Sequence, residues 1–370
     1  MKAGLVLLLA LVPTLAVAQT LRPLLPSHDD VMAVVAREAS AEIARHPAPS
    51  AVFLAAAARL EAPDVRAYAV RTATGKIAFG DVDETLYAHD GRPETLQPLR
   101  RQLDATLAEL DRPSKRPPWG CEAVALTPAV YARMSVLTQD PKYLLAMDSA
   151  WQRMSRDLSR AHGRHACGGG KAVDVNTDGS ALAGLARILE VMPADFPARP
   201  RYVAQYQAMA AALIALKDAK GQWRPSLLAT AVYLPDQTPG VAMTTYALAF
   251  GLNHSLLDRQ TYLPPVLSAW AGLNRDIGPD GGIGGGADSS GAFILAGLEI
   301  TRLDDPATPL PSPVIVHATD AMPPQAEHPA VDASNNLRSK GPRPATRAVA
   351  PNPVTDDPSE RALSSLASPR

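Results

Sequence analysis

Cysteine is nearly absent from this chain: Cys121 and Cys167 are the only two in 370 residues. Two are too few for a disulfide scaffold. Excess charge is absent as well. With 36 Lys and Arg against 37 Asp and Glu, the net charge is −1, and the basic face that nucleic acid requires is missing. Long apolar runs are missing beyond the first 18 residues, so no segment after them can span a bilayer. The glycine run at 281–286 lacks the Lys-Ser/Thr of a phosphate-binding loop and reads as a flexible surface loop. His162, His165 and Cys167 sit in another glycine-rich stretch, but no ligand at a fixed spacing accompanies them, so no metal is expected. Strand patterns are poor, and residues 229–234 are the best short candidate.

What the chain has begins with an export signature. Lys2 precedes the apolar stretch GLVLLLALVPTLAV, and Ala16-Val17-Ala18 is a small-residue cleavage site. Residues 1–18 are therefore read as a signal peptide, and an exported, periplasmic protein is expected. No cysteine follows the cleavage site, so no lipid anchor is expected. At the other end, residues 305–370 hold about a dozen of the chain's 35 prolines and little apolar mass, so that stretch reads as a solvated, disordered tail. The folded part is then 19–304, a length that suits one large domain.

Within it a pattern recurs about every 60 residues. An apolar helix is followed by a short polar loop, and a tyrosine then opens a second apolar helix. The tyrosines are Tyr143, Tyr202 and Tyr262, with a weaker copy at Tyr68. Twelve helical segments follow from periodicity and from proline and glycine punctuation, near 29–45, 50–60, 64–73, 81–89, 94–110, 122–138, 141–159, 179–192, 199–217, 241–254, 260–276 and 289–303. Twelve helices in hairpins imply an all-α protein. A closed (α/α)6 toroid with even-numbered segments inside is the first reading, and an open α-solenoid is the rival.

Closure would place the starts of all inner helices on one rim. The residues there are Ser50; Asp81 and Asp83; Trp119, Cys121 and Glu122; Asp174, Asn176 and Asp178; Gln237 and Thr238; and Asp288. Carboxylates ringing a concave mouth are what acid–base chemistry on sugars uses. The plainer reading of Asp178 and Asp288 is helix capping. Glu122, in the compact WGCEA, is less typical of a cap.

The stretches WGCEAVALTPAVYARMSVLTQDPKYLLAMD, LAGLARILEVMPADFPARPRY, GQWRPSLL, TYALAFGLNHSLLDRQTYLPPVLSAWAGL and SGAFILAG resemble the unsaturated glucuronyl and rhamnogalacturonyl hydrolases, glycoside hydrolase families 88 and 105. The resemblance is strong from Trp119 to Leu303 and faint before. It implies an (α/α)6 barrel that hydrates the C4=C5 double bond left by lyases on a terminal uronate, with an oligosaccharide as partner and no cofactor. An aspartate protonates the enol ether and water adds.

Residue by residue, the rim departs from the family. Glu122 stands where the family has aspartate after tryptophan-cysteine. Residues 159–171 carry no carboxylate where the family has a second aspartate. DVNTDGS at 174–180 replaces an arginine and a glycine-asparagine-glycine-tryptophan turn, and Gln237 replaces a glutamate.

Two outcomes fit that contrast: a diverged glycosidase, or a catalytically degenerate member that binds carbohydrate or a partner protein. For the glycosidase, Glu122 suits an ionised base, Asp174 the proton donor and Asp178 its alternative. Trp119, Asp83, Trp223, Arg224, Gln237 and Asp288 are the substrate-binding candidates. Cys121 and Cys167, expected on one rim of an exported protein, are expected to pair.

Overall fold

The structure is a computed structural model that describes residues 25–46, 49–72, 77, 80–110, 123–160, 175–215, 217 and 237–304. The chain divides into two units, residues 1–321 and 322–370, and the second lies wholly outside the described residues. The signal peptide, the Pro-rich tail, the 229–234 strand candidate, the His162/His165 stretch and both cysteines also lie outside them.

Twelve helices are described: α1 (His28–Arg45), α2 (Ala51–Ala57), α3 (Pro63–Thr72), α4 (Gly80–Asp90), α5 (Pro93–Leu110), α6 (Thr127–Thr138), α7 (Lys142–Arg160), α8 (Val175–Val191), α9 (Arg199–Ile214), α10 (Thr238–Asn253), α11 (Arg259–Arg275) and α12 (Ala287–Ile300). Among the described residues no strand forms, and Ile277 and Ile283 meet in an isolated bridge. No described helix is long and apolar enough to cross a membrane.

Local chemistry sets several of the starts. Ser27, Ser50 and Asp258 cap α1, α2 and α11, each side chain accepting a first-turn amide. The expected capping role of Asp178 and Asp288 does not hold. Helix α8 starts at Val175, which puts Asp178 inside its first turn, and Gly286 occupies the N-cap position of α12, which puts Asp288 inside its first turn.

The even-numbered helices form a closed ring. α2 packs on α4, α4 on α6, α6 on α8, α8 on α10, α10 on α12, and α12 returns to α2. The open solenoid is thereby excluded. The odd-numbered helices form the outer layer, with α1 laid on α12. Composition follows position. TPGVAMTTYALAFGLN of α10 is buried along almost its whole length, as a helix enclosed on every side must be. By contrast α7, KYLLAMDSAWQRMSRDLSR, keeps one apolar face.

Inner helices approach closely through glycine. A side chain on Gly179 of α8 would strike the Gly240 carbonyl of α10, and one on Gly291 of α12 would strike the backbone at Val52–Phe53 of α2. These contacts join N-terminal turns to N-terminal turns, so α8 runs parallel to α10 and α12 to α2, and the starts in each pair lie side by side.

The repeated tyrosine ties the outer layer together. Tyr143 of α7 is fully buried and donates to Asp104 of α5 at 2.7 Å, and Tyr202 of α9 donates to Asp148 of α7 at 2.9 Å. The residue before each tyrosine, Lys142 or Arg201, pairs with the same aspartate and lies over its neighbour's ring. Tyr68 repeats the geometry on the His46 carbonyl at 3.4 Å. One motif thus links successive outer helices, at a net value of about 1 kcal/mol per hydrogen bond. Tyr143→Phe and Tyr202→Phe are each expected to cost roughly 1 kcal/mol in urea unfolding, and together the sum, since they are set in different hairpin pairs.

Candidate functional site

The ring encloses a lumen with an ionic floor. Charged and polar side chains from all six inner hairpins converge there: Arg59 just past α2, Asp81 and Glu84 from α4, Arg133 from α6, Arg187 and Glu190 from α8, Tyr246 and Asn253 from α10, and Glu299 from α12. Arg187, 1% exposed, donates to Asp81, whose same oxygen has Arg59 at 3.8 Å and Arg133 at 3.9 Å. Glu190 takes Arg59 and Arg133 at 3.2 Å each. Asn253 donates to Glu299 at 2.8 Å.

Charge state follows from this wiring. Burial opposes ionisation of Asp81 and Glu190, but the arginines outweigh it. Asp81 is held well below the usual carboxylate range and Glu190 at about 2. Glu84 is on the Asp81 face of α4, and neither of its oxygens has a partner. Burial outweighs Arg133 and pushes it well above the ordinary carboxylate value, and Glu299 is pushed the same way. Burial lifts Tyr246 too, and its hydroxyl is unpartnered. Sequence reasoning missed this cluster. The available signal was a charged residue breaking an apolar inner helix, as in YARMS and LARILE.

The cluster corrects the rim assignment of α4. Asp81 meets Arg133 midway along α6 and Arg187 near the end of α8, so the start of α4 lies deep in the barrel rather than at its mouth. Asp83 is two residues on, roughly 200° around the helix from Asp81. It is 6% exposed, its Oδ2 has no partner, and burial pushes it up to about 6. The expected substrate-binding place for Asp83 on the rim is therefore not what the fold provides.

The mouth lies at the N-terminal turns of α8, α10 and α12. Asn176 accepts from the Gly240 amide at 2.9 Å and stitches α8 to α10 there. Asp178 is buried about two and a half turns before Arg187, on the α8 face turned from the lumen. Gln237, 4% exposed, precedes α10 with its Oε1 unpartnered and makes no capping bond. Asp288 is exposed, on the α12 face that carries Glu299 farther down. Ser180 and Pro239 are half-exposed among buried neighbours and border the opening. Glu122, Asp174, Trp119, Trp223, Arg224, Cys121 and Cys167 lie outside the described residues, so the disulfide and the central carboxylates are not placed. Among the described residues no group of three His, Cys, Asp or Glu is arranged to hold a metal ion.

A closed ring of six inner helices, with a polar mouth at the N-terminal turns of α8, α10 and α12, defines a six-hairpin (α/α)6 barrel of the glycosidase type. The chain belongs to glycosyl hydrolase family 88, whose model matches residues 66–293. It is similar to an unsaturated 3S-rhamnoglycuronyl hydrolase of Formosa agariphila, 29% identical over 268 residues, which covers 59% of this chain and 70% of that one. A protein of the same name from an Alteromonas species is 26% identical over 172 residues, and there the match spans only 41% of the relative. Among solved structures, a family 88 glycosyl hydrolase from Bacteroides vulgatus superposes with a TM-score of 0.61 at 19% identity, covering 75% of this chain and all of that one. A polysaccharide lyase superposes with a TM-score of 0.64 at 20% identity, over 75% of this chain and 98% of that one. These two likenesses show the fold, and a fold shared by a hydrolase and a lyase does not by itself choose between their reactions.

Two outcomes test the floor. Arg187→Met is expected to cost about 3–5 kcal/mol in chemical denaturation, because Asp81 stays buried with only distant partners. Adding Asp81→Asn is expected to return at least half of that loss. For Asp83 the sign runs the other way from Glu190. Its folded value of about 6 exceeds the ordinary 3.8, so ionisation destabilises the fold as pH rises through that window. Asp83→Asn is therefore expected to stabilise by up to about 3 kcal/mol at pH near 8 and by little at pH near 3.5, read as unfolding midpoints.

Proposed function

We propose that this protein is an exported hydrolase that removes a terminal unsaturated uronyl residue from oligosaccharides of the rhamnoglycuronan or pectin type, by hydration of the C4=C5 double bond. The observation that carries the reading is the family 88 match together with two relatives that bear the same unsaturated 3S-rhamnoglycuronyl hydrolase name. The apolar start of residues 1–18 supports export to the periplasm.

On this reading the chemistry belongs to the mouth, not to the ionic floor. A proton must reach the enol ether carbon and a water must add to the other. Asp174 is the donor and Glu122 the base or stabiliser, the carboxylates that stand just ahead of α8 and α6 in the chain. Asp178 ranks behind them, since its face of α8 is turned from the lumen. Asp288 and Gln237 border the mouth and suit sugar hydroxyls, with Trp119, Trp223 and Arg224 as the stacking and carboxylate-binding candidates. The loss of charge at Gln237-Thr238-Pro239-Gly240, where the family has glutamate, favours a second reading: a barrel that binds carbohydrate or a protein without turnover.

The test is loss of the ultraviolet absorbance of unsaturated uronyl disaccharides in the presence of the purified chain. Turnover is expected, and Glu122→Gln and Asp174→Asn are each expected to lower it by roughly 10² or more. Full activity in both variants would refute the assignment. No turnover on any unsaturated uronide, with sugar binding retained, would establish the second reading.

A further inference from the structure

The first helix reaches across to the last hairpin through a buried ionic contact that the mechanism above does not use. Glu38 of α1 is fully buried. Its Oε2 accepts the Ile283 amide at 2.7 Å, and its Oε1 accepts the Ser290 hydroxyl of α12 at 2.6 Å. Glu42, also buried, is 2.8 Å from the same hydroxyl and 2.9 Å from His46 Nδ1. Arg45 spans the group. Its Nη2 lies 3.2 Å from Glu38 and 3.4 Å from Glu42, and its Nη1 lies 3.3 Å from Asp280. Its guanidinium lies against Gly282, where any side chain would collide with it.

These contacts act on one loop. Residues 277–283 form a small hairpin, with Ile277 bridged to Ile283, the Gly278 amide on the Gly282 carbonyl at 2.8 Å and the Gly281 amide on the Gly278 carbonyl at 3.0 Å. The first part of the glycine run is thus a held turn, not the flexible loop its composition suggests. It leads through exposed Gly284–Gly286 to Asp288 at the mouth. Positive φ at Gly285 and Gly286 (94° and 89°) allows the sharp entry into α12. Among the described hydrogen bonds and ion pairs of residues 278–285, those to Glu38 and Arg45 are the ones that reach another helix. Helix α1 also precedes the stretch that matches the family, so the anchor is supplied from outside it.

We infer that Glu38 and Arg45 form an ionic latch that holds the 278–286 loop as one wall of the mouth, and that this latch sets how tightly the sugar is captured. Glu38 and Arg45 are positioning residues. They touch the loop backbone and Asp280 and act on the substrate only through the wall they hold. The capture half of the inference rests on the hydrolase reading above, while the latch itself does not.

The experiment uses the full chain as wild type, Glu38→Ala, Arg45→Ala and Glu38→Gln. Amide hydrogen exchange is followed on peptides covering 277–286, with peptides of α8 and α10 as reference. Exchange of the loop is expected to quicken at least about ten-fold in the two alanine variants while the reference holds. Glu38→Gln keeps an oxygen for the Ile283 amide and should fall between, and it carries the measurement if an alanine variant does not fold. On an unsaturated uronyl disaccharide, KM is expected to rise roughly five-fold or more in the alanine variants with kcat within about two-fold of wild type. Unchanged loop exchange, or acceleration spread equally over α8 and α10, overturns the latch. A quickened loop with KM unmoved overturns its part in capture. A wild type inert toward the disaccharide sinks the hydrolase reading instead, and the exchange data then judge the latch alone.

Discussion

The contact of Arg187 with Asp81 is the constraint around which the barrel is organised. It joins α8 to α4, two inner helices that are not neighbours in the ring, and it does so on the axis where outer-layer packing cannot reach. Burying one of these charges alone would cost several kcal/mol. The cost is met only when Arg59, Arg133 and Glu190 arrive at the same place, which requires α2 and α6 to be in register. The ion pairs therefore act less as a source of stability than as a test of correct closure. Hydrophobic burial around the ring supplies the driving force, and the ionic floor selects one arrangement of it.

That division leaves the mouth free. The floor sets its own charge balance, with Asp81 and Glu190 held ionised by the arginines and Glu84 pushed toward the neutral acid by burial. None of this depends on the residues at the N-terminal turns of α8, α10 and α12. Glycine contacts such as Gly179 with Gly240 bring those turns together through backbone alone. Side chains at the mouth can consequently change without disturbing closure. This accounts for a chain whose outer scaffold resembles its family closely and whose rim residues, Glu122 and Gln237 among them, differ.

The outer layer closes by a different device. A tyrosine at the head of α7 and of α9 reaches the preceding outer helix, and the basic residue before it covers the same aspartate. Among the described residues no outer helix precedes α1. It is fastened to α12 instead, through buried Glu38 and Glu42, so the first and last described helices meet at the start of α12.

The sequence by itself determined the helix count, the hairpin order and the alternation of inner and outer helices. These rest on local signals: periodicity of apolar residues, prolines and glycines between segments, and the recurring tyrosine. It also determined the family, because LAGLARILE and its companion stretches survive in order. Only the tertiary structure decided the place of individual charges. Asp81 and Asp83 read as rim residues because α4 was taken to start level with its neighbours, whereas Asp81 meets arginines deep in the barrel. Asp178 reads as a cap for a helix starting at 179, whereas α8 begins four residues earlier, at Val175. The arginines of the floor were passed over because each is isolated in its own helix. What separates a structural charge from a functional one is its depth along the axis and the identity of neighbours from other helices, and both are set by packing between segments far apart in the chain.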